Sequence, residues 1–329
     1  MGKIDPLKLK DLVFPFLGYR DEKVLIGPKM GEDAAVIDLE EFYLVVSSDP
    51  VTGAKKDIGF YSVNINANDI ATMGAVPRYF VPVIMLKEDS DEKDLKSIMK
   101  DIDSTCKDLK ISVIGGHSEI TPGLRENIVS ASILGFIKKN EKIISSSGAK
   151  NGDLIILTKG AGIEGTSILA NDFYDLLKDK IDRKSLERAK NYIKKLSVVK
   201  EALIARKYAT AMHDPTEGGV LGGIHELCDA SVKGFHVDTS RIIINRETRL
   251  ICEALRIDPL ALIGSGALII TCPEEDSEKL IRELREDKIE CSIIGEIRED
   301  ENDRNLERVK QDEIWRVTPL LTQELGIKR

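Results

Sequence analysis

The sequence lacks the cysteine pattern of a covalent or zinc-based scaffold. Five cysteines (Cys106, Cys228, Cys252, Cys272, Cys291) are spread over 329 residues, an odd number with no Cys-x-x-Cys pair. That argues against a disulfide framework or a structural zinc site and predicts a reducing cytoplasm. Positive charge is short as well: Lys+Arg 48 against Asp+Glu 56 leaves a net charge of −8. No general attraction to nucleic acid or to an anionic membrane surface follows from such a balance. No apolar run approaches the roughly 20 residues that span a bilayer, and the opening Met1-Gly2-Lys3-Ile4-Asp5-Pro6 has no signal-peptide core. Tandem repeats and low-complexity tracts are also missing. What is present is a globular composition, 42% apolar and 32% charged, in a chain long enough for two domains at about 150 residues each. Any anionic ligand must be held locally, by backbone donors, a few cations or a metal.

Both halves alternate short apolar runs with helical patterns, the signature of an α/β or α+β domain. Helices are predicted over 7–16 and 57–73, and again where Leu95, Ile98, Met99, Ile102, Cys106 and Leu109 keep helical spacing. Strands are predicted near 34–36, 43–46, 80–86, 111–114 and 128–137. A polar stretch from Lys138 to Asn151 marks the junction. The second half restarts with a strand at 154–157, carries a charged run from Lys178 to Lys195 read as a solvated helix face, and adds strands near 235–237, 267–271 and 291–297.

Chemistry is suggested by acidic residues at the ends of rigid elements. Asp33 sits in a glycine turn, Asp49 ends a predicted strand, and Asp214 lies in His213-Asp214-Pro215-Thr216-Glu217-Gly218-Gly219. Asp69 differs, because it lies inside a helix on one stripe with Ile58, Ser62 and Ile65, and Asn68 flanks that stripe. A carboxylate on a buried stripe must be hydrogen-bonded, paired or bound to a cation. A helix–loop contact and a metal site are equally compatible with it. Dispersed carboxylates with glycine turns suit a nucleoside triphosphate with magnesium, since hard cations take oxygen ligands and glycine turns let amides approach phosphate. A P-loop is rejected: Gly160 to Ser167 nearly fits, but Thr166 stands where the pattern requires Lys. Of the four histidines, His225 (three residues before Cys228) and His236 read as structural. His117 and His213 adjoin glycine or Asp turns, and for each an acid–base role competes with a structural hydrogen bond.

Read in order, Gly31-Glu32-Asp33-Ala34-Ala35, Ser48-Asp49, Asn68-Asp69-Ile70-Ala71-Thr72-Met73-Gly74-Ala75, Gly115-Gly116-His117 and Asp214-Pro215-Thr216-Glu217-Gly218-Gly219 resemble the aminoimidazole ribonucleotide (AIR) synthetase superfamily over nearly the whole chain. The third and last of these look most similar to its hydrogenase-maturation branch. The resemblance implies an N-terminal α/β domain over 1–140, whose strands join those of a second subunit in a dimeric β-barrel, and a C-terminal α+β domain over 150–329. It implies ATP and Mg2+ as cofactors, with Asp33, Asp49, Asp69 and Asp214 on the metal. Asp33, Asn68, Asp69, Gly115 and Gly116 would meet ATP or its phosphates in the first domain. Gly162, Gly165, Thr166, Thr216 and Gly218 would do so in the second, with Asp214 as a catalytic residue; His117 and His213 join it as candidate catalytic residues from their place beside glycine and Asp turns, not from the resemblance.

The implied activity is ATP-dependent activation of an acceptor oxygen by phosphorylation, in a cytoplasmic homodimer. A nucleotide-binding scaffold that has lost catalysis is the alternative, and a small-molecule kinase of the thiamine-monophosphate kinase type is a third reading. Two departures bear on the choice. The hydrogenase-maturation branch ends in Pro-Arg-x-Cys, whereas this sequence ends Leu325-Gly326-Ile327-Lys328-Arg329, and His117 stands where several relatives have Asp or Asn. The selenophosphate branch is disfavoured, since no cysteine precedes Cys106.

Overall fold

A computed structural model describes residues 4, 6–52, 54 and 56–324. The tail from Leu325 to Arg329 lies outside the described residues. The described residues form two compact units, one made of Tyr19–Pro28 and Asp33–Ile143, the other of Lys29–Glu32, residues 144–324 and the segment ending at Gly18. The segment ending at Gly18 carries α1 (Pro6–Leu12), shorter than the predicted helix.

The first unit is a sheet with helices on one face. Its strands are β1 (Val24–Ile26), β2 (Ala35–Leu39), β3 (Phe42–Val51), β4 (Val76–Leu86), β5 (Ser112–Val113), β6 (His117–Ile120) and β7 (Ile128–Lys138). They run in the order β1-β2-β3-β7-β4-β5, with β6 also on β4. Only the β4–β5 and β4–β6 pairs are parallel. Among the described residues the path does not return on itself, so no closed barrel forms there. In β7, Val129, Ala131, Ile133 and Ile137 are buried and alternate with half-buried residues, the period of a strand with one covered face. The cover is α2 (Ile58–Thr72), with α3 (Glu92–Leu109) packed on it. Gly135 and Gly59 permit this: a Cβ would lie 2.2 Å from Ile70 Cγ2 at the first and 2.4 Å from the Ile98 carbonyl at the second. Asp91 begins α3 with a capping box shared with Asp94. Cys106 is buried on the inner side of α3, where burial pushes its thiol up to about 12.

Three expectations need correction here. The α2 helix is enclosed nearly all round, not along one stripe: Asn64, Asn66, Asn68 and Asp69 are all buried while Ile65 is only half-buried. Contact with both the sheet and α3 accounts for this. Asp49 does not end its strand, because pairing with β7 carries β3 on to Val51. The run from Lys178 to Lys195 is not one solvated face, since it breaks into short helices that bury Leu186, Ala189 and Tyr192.

The second unit has an antiparallel sheet of β8 (Leu154–Thr158), β9 (Ala211–His213), β10 (Gly234–Val237), β11 (Ile269–Cys272) and β12 (Cys291–Arg298), ordered β10-β12-β8-β11-β9. Around it lie α4 (Ile163–Asp172), α5 (Tyr174–Leu177), α6 (Arg183–Lys190), α7 (Val199–Ala205), α8 (Gly219–Ser231), α9 (Arg246–Leu255), α10 (Glu274–Glu286) and α11 (Glu313–Glu324). One core lies on the sheet around Leu157, Phe235 and Ile269, and another joins α4, α6, α9 and α11 through Leu169, Leu186, Ile251 and Val317. The first unit is mixed α/β and the second α+β, as the resemblance implies. No helix among the described residues is long and apolar enough to cross a membrane.

Candidate functional site

In the first unit the acidic residues gather where β3 outruns β2. The last β2 pair is Ala35 with Val46, so the edge of β3 beyond Val46 has lost its strand partner. Backbone groups left open there need other partners. Asn66 supplies them from α2: its amide oxygen accepts from the Asp49 N–H at 3.0 Å, and its Nδ2 donates to the Asp49 carbonyl at 3.3 Å and to the Ser62 carbonyl at 2.9 Å. One residue pair away, Ser47 donates its hydroxyl to Asp69 Oδ2 at 2.6 Å. Thr72 in turn donates to the Asp69 carbonyl at 2.8 Å. Asp69 is 6% exposed and Asn68 fully buried. Asp33 lies two residues ahead of the Ala35–Val46 pair, at the same end of the β2–β3 hairpin. Asp33 and Asp49 therefore lie at the open end of the β2–β3 hairpin, and Asp69 is tied to the same stretch of β3 through Ser47.

His117 does not join them. Register places Asp49 opposite Ala131, Ala131 opposite Pro82 and Val83 opposite His117. Three strand spacings, about 14 Å, thus separate β3 from β6 along that row. Paired residues point to the same face, so His117 projects with the exposed Val83 onto the open face, away from α2. There its Nε2 meets Glu119 Oε2 at 3.1 Å. Gly115 is exposed, and Gly116 is tight against the Pro82 carbonyl, 2.5 Å from where a Cβ would sit.

In the second unit the glycine segments serve packing first. Gly162 caps α4 at φ 66°. A Cβ on Gly165 would lie 2.4 Å from Leu262 Cγ. Thr166 is buried, with its hydroxyl donated to the Gly162 carbonyl at 2.6 Å and its Oγ1 2.8 Å from the Thr248 hydroxyl. The turn after β9 is also close-packed. His213 and Asp214 are 3% and 1% exposed, and His213 Nε2 meets Glu226 Oε2 of α8 at 2.9 Å. The Gly219 and Gly264 amides donate to the Thr216 carbonyl at 3.1 and 3.2 Å. Gly218 donates its amide to Asp312 Oδ2 at 2.6 Å.

Two buried acids stand behind this turn. Burial pushes the Glu164 carboxyl up to about 7; Ser265 hydrogen bonds oppose that and the charge of Asp312 adds to it. Its Oε2 has no hydrogen-bond partner among the described residues. Burial likewise pushes Asp312 up to about 6, against three amide hydrogen bonds. The sequence reading missed Ser47, Asn66, Glu164, Ser265 and Asp312. Only Asn66 left a visible trace, as the middle member of an Asn64, Asn66, Asn68 series. His225 and Cys228 are both buried, as structural residues would be; no group of three His, Cys, Asp or Glu side chains among the described residues is arranged to hold a metal.

The family model for AIR synthase related protein, N-terminal domain, matches residues 31–137, and that for its C-terminal domain matches residues 150–305. A putative hydrogenase expression/formation protein of Methanocaldococcus jannaschii is 28% identical over 307 residues, covering 89% of this chain and 88% of that one. Among solved structures, the protein AaThiL complexed with AMPPCP and TMP superposes with a TM-score of 0.75 at 17% identity, covering 93% of this chain and 95% of its own. The hydrogenase maturation protein HypE in complex with ATP gives a TM-score of 0.69 at 22% identity, covering 87% and 91%.

Proposed function

We propose, from the premise that this chain belongs to the AIR synthase related family, that it is an ATP-using, magnesium-requiring enzyme that activates an acceptor oxygen by phosphorylation. The observation that carries the reading is the buried Asp69, held by Ser47 on the stretch of β3 that also carries Asp49, at the open end of the hairpin that Asp33 enters. A carboxylate inside an enclosed helix is costly, and a cation with phosphate oxygens would offset that cost. The nucleotides in the AaThiL and HypE structures support ATP as the ligand.

Magnesium is commonly held by one or two carboxylates completed by phosphate oxygens and water. One or two of the oxygen-only donors Asp33, Asp49 and Asp69 would suffice for that mode; among the described residues no three such side chains are arranged to hold a metal by themselves. Bound there, the metal would neutralise charge on the transferring phosphoryl group. The chain's own part is positioning: Ser47 orients the Asp69 carboxylate, and Asn66 fixes the Asp49 backbone. In the second unit Asp214 and Thr216 are assigned as phosphate contacts, and His213, whose Nε2 meets the Glu226 carboxylate, as the acid–base group. Gly162, Gly165 and Thr166 are left to packing.

The test is an assay of ADP and phosphate release over a panel of amides, amines and phosphomonoesters, with wild type and Asp69→Asn. Turnover by wild type and its loss in a folded Asp69→Asn supports the reading; unchanged ADP release by the variant overturns it. Phosphate found on the acceptor instead of in solution selects the small-molecule kinase. A nucleotide-binding scaffold is the second reading, favoured by the placement of His117 away from the carboxylates. It predicts calorimetric binding of AMPPCP with no turnover on any substrate.

A further inference from the structure

The turn carrying Asp214, Thr216 and Gly218 is fixed by a carboxylate 94 residues further along the chain. Asp312 is 2% exposed and collects amides from three separate segments. Its Oδ2 accepts from Gly218 at 2.6 Å; its Oδ1 accepts from Ile263 at 3.3 Å and from Ile314 at 2.7 Å. The Ile314 bond makes it the N-terminal cap of α11. The Gly218 bond does something a cap does not need, since it ties the turn to that helix.

The surrounding backbone is close enough to transmit the restraint. A Cβ on Gly219 would lie 2.5 Å from the Leu260 carbonyl and 2.6 Å from that of Leu262, and one on Gly264 would lie 2.9 Å from that of Pro215. The turn and the 260–264 loop thus meet backbone to backbone with no side chain between. Ionised, Asp312 is acceptor-only and can take amides with both oxygens. An asparagine would turn an N–H towards one of those donors.

We propose that Asp312 is a positioning residue for nucleotide binding by the second unit: it holds the Asp214–Gly219 turn in the conformation in which its side chains can contact phosphate. Because Gly218 spends its amide on Asp312, the turn's contribution to ligand is the Asp214 and Thr216 side chains. The inference rests on the proposed function.

The test uses the full chain with Asp312→Ser, which keeps a capping oxygen for Ile314 but is too short to reach Gly218, and Asp312→Asn. Calorimetry with AMPPCP and magnesium, thermal unfolding, and steady-state kinetics are measured on each. The expected result is a folded Asp312→Ser protein whose nucleotide affinity falls about tenfold or more, with KM for ATP raised and kcat nearly unchanged. A lowered melting temperature with wild-type affinity and KM overturns the inference and leaves the functional reading standing. Failure of the wild type itself to bind AMPPCP removes both. If neither variant folds, amide exchange on the unaltered protein decides: protection at Gly218 must rise on adding AMPPCP and magnesium, and no change overturns the inference.

Discussion

Ser47 and Asp69, 22 residues apart, meet across the sheet–helix boundary with the hydroxyl 2.6 Å from Oδ2. Both are buried, so water cannot replace the bond. Ser47→Ala removes a charge-assisted hydrogen bond and should cost about 1–3 kcal/mol of stability. It leaves the carboxylate in place but unsteered. ADP release should therefore fall in Ser47→Ala by less than in Asp69→Asn, while urea unfolding registers the stability loss. Equal turnover in Ser47→Ala and wild type would remove Ser47 from the site.

That pair also marks how far the sequence could be read. Asp69 stood out because a charged residue inside an apolar helix breaks the pattern. Ser47 did not, since serine in a strand is unremarkable and register alone decides which strand residue faces Asp69. Asn66 was partly visible, but its function depends on β3 outrunning β2, a length difference no local signal encodes. Asp49 was misplaced at a strand end for the same reason: pairing with β7 extends the strand beyond its apolar run. Asp312 was hidden because no glycine turn or motif surrounds it and two of its three amide donors, Gly218 and Ile263, come from distant segments. The grouping of Asp33, Asp49 and Asp69 within one unit matches the order of the motifs, whereas His117 faces the other way through a parity that strand pairing alone determines.

Gly165 offers a direct contrast between packing and ligand contact. Alanine is the better helix former by about 1 kcal/mol, yet its Cβ would stand 2.4 Å from Leu262 Cγ. Overpacking of that kind costs about 1–3 kcal/mol, so Gly165→Ala should destabilise the protein. Combining it with Leu262→Ala should recover part of the loss, measured as a non-additive term in a double-mutant cycle. Simple additivity would mean that Leu262 is not what excludes the side chain.

Lys159 and Glu201 form a buried pair at 2.6 Å, and the lysine also donates to the carbonyls of Lys195 and Ser197 at 2.8 and 2.7 Å. Burial holds the Lys159 ammonium below its ordinary pKa, with Glu201 opposing that. Lys159→Met strands the 3%-exposed Glu201 and should cost about 3–5 kcal/mol. Replacing both residues with Met should be milder than replacing one. A single variant with wild-type stability would contradict the pairing.

The face of the first sheet opposite α2 is open and aromatic. Phe136 packs edge-on to Phe42 at 5.0 Å and Tyr79 at 5.9 Å, and Tyr79 and Val83 are 40% and 36% exposed. An uncovered apolar sheet face of this kind fits a second copy of the chain, and the homodimer that the resemblance implies is put forward here as a prediction. Sedimentation should give twice the chain mass for wild type and a monomer for Tyr79→Glu with Val83→Glu. A monomeric wild type at micromolar concentration would refute it.

Glu164 makes stability depend on pH in a direction opposite to most carboxylates. Its folded pKa of about 7 lies above the ordinary 4.5, with burial as the main cause and Asp312 adding to it. Between those values the folded chain holds a proton that the unfolded chain has released, so stability falls as pH rises through that window. The Glu164 contribution spans roughly 3 kcal/mol at most. Asp312, raised from 3.8 to about 6 with Glu217 adding to the effect of burial, has the same sign over a lower window. Glu164→Gln cannot ionise, and it also removes a negative neighbour from Asp312. The variant should match wild type near pH 5 and exceed it by about 1–3 kcal/mol at pH 8, with a flatter profile between. Urea unfolding at half-unit steps reads this directly. Parallel profiles for the two proteins would mean that Glu164 is already ionised in the fold at neutral pH, and that a cation or buried water compensates the orphaned Oε2.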